Sequence, residues 1–237
     1  EYNNISSLKK VISEHDIGTI KMEVKREEDP KNNFLQEVRK IADKKNIILI
    51  FDECTSGFRK TFGGLHKYYK VKPDMAMFGK ALGNGYAITA VIGKRSIMES
   101  ASTNFISSTM WTERIGTSAA IECLNVMENM KSWQKISQTG IWLKEQWKKL
   151  AKLHKLKIEI QGLDAIPNFI FKSQNHNSYK TLITQELLKK NLLATNKIFI
   201  SVLHNKKNLQ NYLNEMDKVF SLISRIENGE NSSKSKR

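Results

Sequence analysis

The sequence predicts an α/β fold followed by a smaller α+β unit, on three observations. A fully apolar strand, Ile47–Phe51, follows an amphipathic helical pattern. Two more short apolar runs, Met75–Phe78 and Ile88–Ile92, continue the β-α-β order of an open sheet flanked by helices. Two helical stretches, Ile115–Met130 and Trp133–Leu153, then meet at about residue 130, where the order changes to strand, strand, helix, strand, helix.

Gly18–Val24 reads as the first strand. Phe34, Leu35, Val38, Ile41 and Ala42 recur at helical spacing. Ile47–Phe51 is β-branched and aromatic with no polar alternation, as expected of a strand covered on both faces. Ile115–Met130 repeats Ile121, Leu124 and Met127 at three-residue spacing. Trp133–Leu153 carries Ile136, Leu143, Trp147 and Leu150 on one stripe, and Gly140 weakens that helix. The end of the chain reads as strands at Lys157–Ile160, Ile166–Phe171 and Lys197–Leu203, with helices at Tyr179–Lys190 and Leu209–Ile226. Residues 1–130 are therefore expected to belong to one domain and 131–226 to a second. Residues 227–237, rich in Asn, Ser and Lys, are expected to be a disordered tail.

With 237 residues, 40% of them hydrophobic, the chain has material for a real core. No apolar run approaches the ~20 residues that span a bilayer. Glu1–Glu14 is polar and does not read as a signal peptide. The opening Glu, in place of Met, suggests a piece of a longer chain. Cys54 and Cys123 make neither a disulfide framework nor a C-x-x-C metal pair, which favours a reducing, cytoplasmic setting. The formal charge, 39 − 24 = +15, would suit a polyanion. The lysines, however, are spread along helices such as Lys144–Lys155 without an aromatic platform, the pattern of a solvated surface, so no dedicated nucleic-acid role is expected. His15, His66, His154, His176 and His204 show no ligand spacing, and no metal site is expected.

Two residues carry the chemical argument. Asp52 comes immediately after the most apolar strand, and ligands of open α/β sheets bind beyond the carboxyl ends of strands. Lys80 follows the next apolar run and opens a glycine-rich turn, Gly79-Lys80-Ala81-Leu82-Gly83-Asn84-Gly85. An apolar wall beside such a lysine would favour its neutral form, which attacks carbonyls. Glycines on either side would let the backbone approach a bulky ring. An acid after one strand and a lysine after the next is the pair that pyridoxal 5'-phosphate uses. The aldehyde forms an imine with the lysine, and the carboxylate keeps the ring nitrogen protonated. Taken singly, Asp52 also reads as a helix cap or turn residue, and Lys80 as an ordinary turn lysine.

The segment from Ile48 to Gly93 resembles the core of the class III pyridoxal-phosphate aminotransferases, nearest to the branch of glutamate-1-semialdehyde 2,1-aminomutase. The resemblance rests on FDECTSGFR at Phe51–Arg59, on Lys72-Pro73-Asp74 and on FGKALGNG at Phe78–Gly85. Ser108–Gly116 and the stretches Tyr179–Glu186, Asn191–Thr195 and Asn211–Phe220 also look familial. The resemblance implies the later part of the fold type I large domain plus a small C-terminal domain, a homodimer, and amino-group exchange between a small-molecule amino donor and a carbonyl acceptor. It also implies roles. Lys80 is the Schiff-base lysine and base, and Asp52 the partner of the ring nitrogen. Cys54 falls where a valine-like residue packs on the ring, Thr55 lies near the ring hydroxyl, and Thr112 reaches the cofactor phosphate of the neighbouring subunit. Thr112 reads equally as the cap of the helix starting at Ile115, which would put Glu113 and Arg114 in its first turn. Glu23 and Glu53 are motif positions without an assigned role. Lys21 and Val24 depart from the apolar-Glu-Pro pattern usual around Glu23, and Thr117 stands where proline is common.

The family's N-terminal half, which holds the phosphate-binding loop, has no counterpart in Glu1–Gly18. Residues 1–237 alone are therefore expected to be inactive and prone to aggregate. The alternatives are a truncated remnant without catalysis and a basic binding module. Retention of Lys80 and Asp52 at this spacing argues against the module.

Overall fold

The strand expected at Ile47–Phe51 forms over Ile48–Asp52 (β2) and lies inside a four-stranded sheet, between Thr19–Glu23 (β1) and Met75–Phe78 (β3). In this computed structural model, which describes residues 1–25, 27–107, 109 and 112–229, β1, β2 and β3 run parallel. The fourth strand, Ala90–Gly93 (β4), is antiparallel to β3. Leu49 and Phe51 are fully buried, whereas Ile48 and Ile50 are half-buried, so only one face of β2 is completely covered by these residues. The helices are Ile5–Glu14 (α1), Phe34–Lys45 (α2), His66–Tyr69 (α3), Arg95–Met98 (α4), Ile115–Met130 (α5), Ser132–Leu153 (α6), His176–Leu188 (α7) and Lys206–Glu227 (α8).

Two compact units divide the chain, Glu1–Gln134 and Lys135–Arg237. In the first, α2 packs on β2 through buried Phe34, Leu35, Val38 and Ala42, one stripe at helical spacing. It ends where Asn46 enters the left-handed region and turns its N–H back onto the carbonyls of Ala42 and Asp43. Helix α1, not anticipated from the sequence, is capped by Asn4, whose side chain accepts a bond from the Ser7 N–H at 2.9 Å.

The sheet is pinned by Asp74 at the foot of β3. Its carboxylate accepts the Leu49 N–H at 2.7 Å and pairs with Arg39 at 2.8 Å and Lys94 at 2.7 Å, so one residue ties α2, β2 and the segment after β4 together. Burial pushes the Asp74 carboxyl up, but these three donors outweigh it and bring it down to about 2. A depressed carboxyl stabilises the fold above its unfolded value, and that stabilisation is lost as pH falls towards its folded value. Asp74→Asn is expected to cost about 3 kcal/mol at neutral pH, since it removes the charge facing two cations. In urea melts the gap between variant and wild type should close between about pH 4 and pH 2. A gap independent of pH would refute this account.

In the second unit, Ile158–Gln161 (β5) and Asn168–Phe171 (β6) form an antiparallel pair. Its core joins Trp147, Phe169, Phe171, Ile183, Met216 and Phe220, and the Trp147 indole N–H donates to the Tyr212 hydroxyl at 3.0 Å. The strand expected at Lys197–Leu203 does not form. That segment makes a single bridge, Asn168 with Lys197, and its Ile198 N–H donates to Pro167 O at 3.1 Å. Pro167 has no N–H to return, so the ladder cannot extend. At the C-terminal end, Glu227 is still helical and accepts the Tyr179 hydroxyl at 2.6 Å. Residues 230–237 of the expected tail lie outside the described residues.

Candidate active site

The parallel register of β2 and β3 pairs Asp52 with Met77, so Asp52 and the Gly79-Lys80 turn emerge at the same carboxyl edge of the sheet. The bond from Glu53 N–H to Met77 O, at 2.8 Å, carries that alignment one residue further. Alternation along the strand then sends the neighbouring acids to opposite sides. Asp52 keeps 26% of its side chain exposed, while Glu53 is wholly buried.

Around Asp52 the site is small and polar. One carboxylate oxygen accepts the Cys54 N–H at 3.1 Å, and the other lies 3.2 Å from Lys21 Nζ. Burial pushes this carboxyl up, but the Cys54 N–H and Lys21 outweigh it, so Asp52 sits below the usual carboxylate range and is ionised at neutral pH. Half-buried Cys54 leans on Gly79, where an added Cβ would come within 3.4 Å of its sulfur and 3.3 Å of the Thr89 methyl. Burial and the adjacent Asp52 carboxylate both push the Cys54 thiol up, which keeps it protonated, as a packing group requires.

Lys80 Nζ donates to Thr55 Oγ1 at 3.2 Å. The structure thus brings together Asp52, Cys54, Thr55 and Lys80. Lys80 is exposed, however, and the apolar wall expected beside it is not formed by these residues. It starts a 3-10 turn, Lys80–Leu82, with φ at +46°, a left-handed conformation that costs a non-glycine residue about 1 kcal/mol or more. The glycines divide their work differently from the expectation. Gly79 makes the close approach, whereas a Cβ on Gly83 would strike the Tyr86 carbonyl at 2.2 Å, and Gly85 has φ +110°. These last two serve the turn itself.

Thr112 is exposed in the turn before α5 and, among the described residues, is not joined to this cluster by a hydrogen bond; Ser108, Met110 and Trp111 of its motif lie outside the described residues. It does not cap α5. Arg114 is the cap residue, and the Glu113 carboxylate accepts the N–H groups of Ile115 and Gly116 from ahead of the helix. Glu113 and Arg114 therefore precede the first turn rather than forming it.

Two features escaped the sequence reading. Glu53 is a hub: it accepts the Ser56 hydroxyl and the His66 N–H, and lies 2.8 Å from His66 Nδ1. Burial pushes its carboxyl up, but the His66 ring, Ser56 and the N–H groups of His66 and Leu65 outweigh it. Glu53 thereby anchors the loop that carries Cys54 and Thr55. His66 lies thirteen residues from its partner, and no spacing rule announces the pair. The second feature is the Lys21–Asp52 contact, which follows from strand register. Lys21 faces Ile50 and Glu23 faces Asp52, so all four side chains share one side of the sheet.

The donor set suits pyridoxal 5'-phosphate. It offers an amine for an aldehyde, an ionised carboxylate for a ring nitrogen and a hydroxyl beside the amine.

Residues 28–219 match the family model for class-III aminotransferases. Among curated relatives, the 3-aminobutyryl-CoA aminotransferase of Cloacimonas acidaminovorans (strain Evry) is 34% identical over 66% of this chain and 38% of its own. The glutamate-1-semialdehyde 2,1-aminomutase of Nitrosopumilus maritimus (strain SCM1) is 39% identical over 56% of this chain and 33% of its own. That of Thermodesulfovibrio yellowstonii is 28% identical over 92% of this chain and 57% of its own. The chain thus spans about a third to somewhat over half of these proteins. Among solved structures, the FumI protein of Sphingopyxis sp. MTA144, in its PLP internal aldimine form, superposes with a TM-score of 0.87 at 22% identity. The match covers 94% of this chain and 56% of that one.

Proposed function

Since the chain belongs to the class-III aminotransferases, we propose that Lys80 and Asp52 serve pyridoxal 5'-phosphate-dependent transfer of an amino group from a small-molecule amine to a carbonyl acceptor. The observation that carries this reading is the β2–β3 register, which sets the Asp52 carboxylate and the Lys80 amine at one sheet edge, with Thr55 joined to Lys80. When bound, the cofactor supplies an aldehyde that takes up amines and an electron-withdrawing ring.

Everything else falls to the chain. Lys80 is the residue that would hold the cofactor through its aldehyde, and its amine, when free, would take a proton from the α-carbon of the substrate amine. Its 3-10 turn and the Thr55 hydroxyl aim the amine. Asp52 holds a proton on the ring nitrogen, for which its ionised state is required. Cys54, which packs on Gly79, and Thr55, which is joined to Lys80, would flank the ring. Thr112 is assigned to the phosphate of a cofactor bound by a second copy, which makes the working form a homodimer, and the two unpaired cysteines fit a cytoplasmic setting. Transfer to a separate acceptor and a 2,1-shift within one substrate both begin with these steps.

The test is reduction with borohydride of the native polypeptide bearing this sequence, loaded with pyridoxal 5'-phosphate, followed by peptide mapping. A cofactor adduct on Lys80 is expected. An adduct confined to other lysines would refute the assignment.

A further inference from the structure

Each oxygen of Asp52 already has one partner from the chain, so a ring nitrogen would meet a carboxylate that is in use. One oxygen is held by the Cys54 N–H at 3.1 Å, the other by Lys21 Nζ at 3.2 Å. The charged and titratable groups around it are Lys21 and Glu23 from β1, Cys54 at the end of β2, and Lys80 beyond β3. Lys21 leaves the sheet on the same face as Asp52, is about half exposed, and reaches the Asp52 carboxylate at 3.2 Å. From this geometry we infer that Lys21 is a positioning residue that competes with the cofactor's ring nitrogen for Asp52, holding the carboxylate in place before the ring arrives and weakening its grip on the ring proton afterwards.

The argument is electrostatic. A carboxylate stabilises a protonated ring nitrogen because it is negative and close. An ammonium 3.2 Å away already neutralises much of that charge. A ring nitrogen reaching the same oxygen must either displace Lys21 or share the carboxylate with it. Displacement costs the ion pair, which at this exposure is worth at most about a fivefold change in affinity. Sharing sets two cations on one anion, and the ring loses its proton at a lower pH than it would beside Asp52 alone. Either way Lys21 makes the site a milder electron sink. It also gives the empty site an ordered carboxylate, so that Asp52 is aimed rather than mobile when the cofactor enters.

This inference rests on the reading of Asp52 as the ring partner, and the experiment separates the two. Lys21→Met removes the charge and keeps the length, while Lys21→Arg keeps the charge. Without cofactor, carbon-13 NMR of aspartate-labelled protein should show Asp52 titrating at higher pH in Lys21→Met than in wild type, with Lys21→Arg close to wild type. With cofactor labelled at the ring nitrogen, nitrogen-15 NMR should show the ring proton retained to higher pH in Lys21→Met, and binding about threefold tighter. Superimposable titrations of wild type and Lys21→Met, with the Lys80 adduct intact, would overturn the role of Lys21 alone. Absence of a Lys80 adduct in both proteins would overturn the amino-transfer reading and this inference with it.

Discussion

Lys80→Ala is expected to leave no borohydride-trapped cofactor on the protein and to lower amino-group transfer by at least ~10³-fold, since on the proposed reading it removes both the covalent attachment and the base. Lys80→Arg should fail in the same way although it keeps a cation near Thr55, because a guanidinium neither forms the imine nor gives up its proton at neutral pH. The backbone supplies an independent check. Lys80 holds φ +46°, so alanine inherits the same strain and should leave stability nearly unchanged. Glycine at this position relieves it and should raise stability by about 1 kcal/mol while abolishing the adduct. A variant that loses activity but gains stability separates a functional lysine from a structural one. Turnover by Lys80→Ala within tenfold of wild type would remove Lys80 from the chemistry.

The sequence disclosed these two residues because their signals are local. A run of five apolar residues cannot rest on a surface, and the acid and the glycine-flanked lysine sit where such runs end. Asp52 and Lys80 were legible for the same reason β2 and β3 were. Signals that depend on pairing were not. Lys21 stood out only as a departure from an apolar pattern, and its contact with Asp52 appears once the β1–β2 register is counted out. Glu53 and His66 meet because the loop between them folds back, which no periodicity records. Helix α1 was legible in principle: Ile5, Leu8 and Ile12 keep helical spacing behind Asn4, yet its high polarity hid them. Lys197–Leu203 looks like a strand by composition, and only the neighbour it meets, with Pro167 opposite, decides otherwise.

Gly140 gives the sharpest case of a local rule reversed by packing, and the second large effect follows from it. By propensity alone, Gly140→Ala inside α6 should stabilise the helix by about 1 kcal/mol. The surroundings forbid it. A Cβ at this position would lie 1.6 Å from the Asp164 carbonyl oxygen and 2.7 Å from its carbonyl carbon. Those atoms are backbone, and their segment is held firmly. Lys144, one turn further along α6, donates to Gly162 O at 3.0 Å and pairs with Asp164 at 3.1 Å. Leu163, Ala165 and Ile166 are buried, and Gly162 takes φ +76° with no room for a Cβ beside Ile166 O. To admit one methyl group, either α6 or the whole 162–166 turn must move, breaking the Lys144 contacts and opening the core around Phe169. We expect Gly140→Ala to cost about 3 kcal/mol net, at the upper end of overpacking penalties. With a denaturant slope of roughly 1–3 kcal/mol per molar urea, the unfolding midpoint followed by tryptophan fluorescence should fall by at least ~1 M. The same protein should keep the Lys80 adduct under native conditions, since the strain falls outside the unit that carries the site. An unchanged or raised midpoint would mean that the 162–166 turn yields freely, and that the glycine in α6 reflects propensity rather than contact.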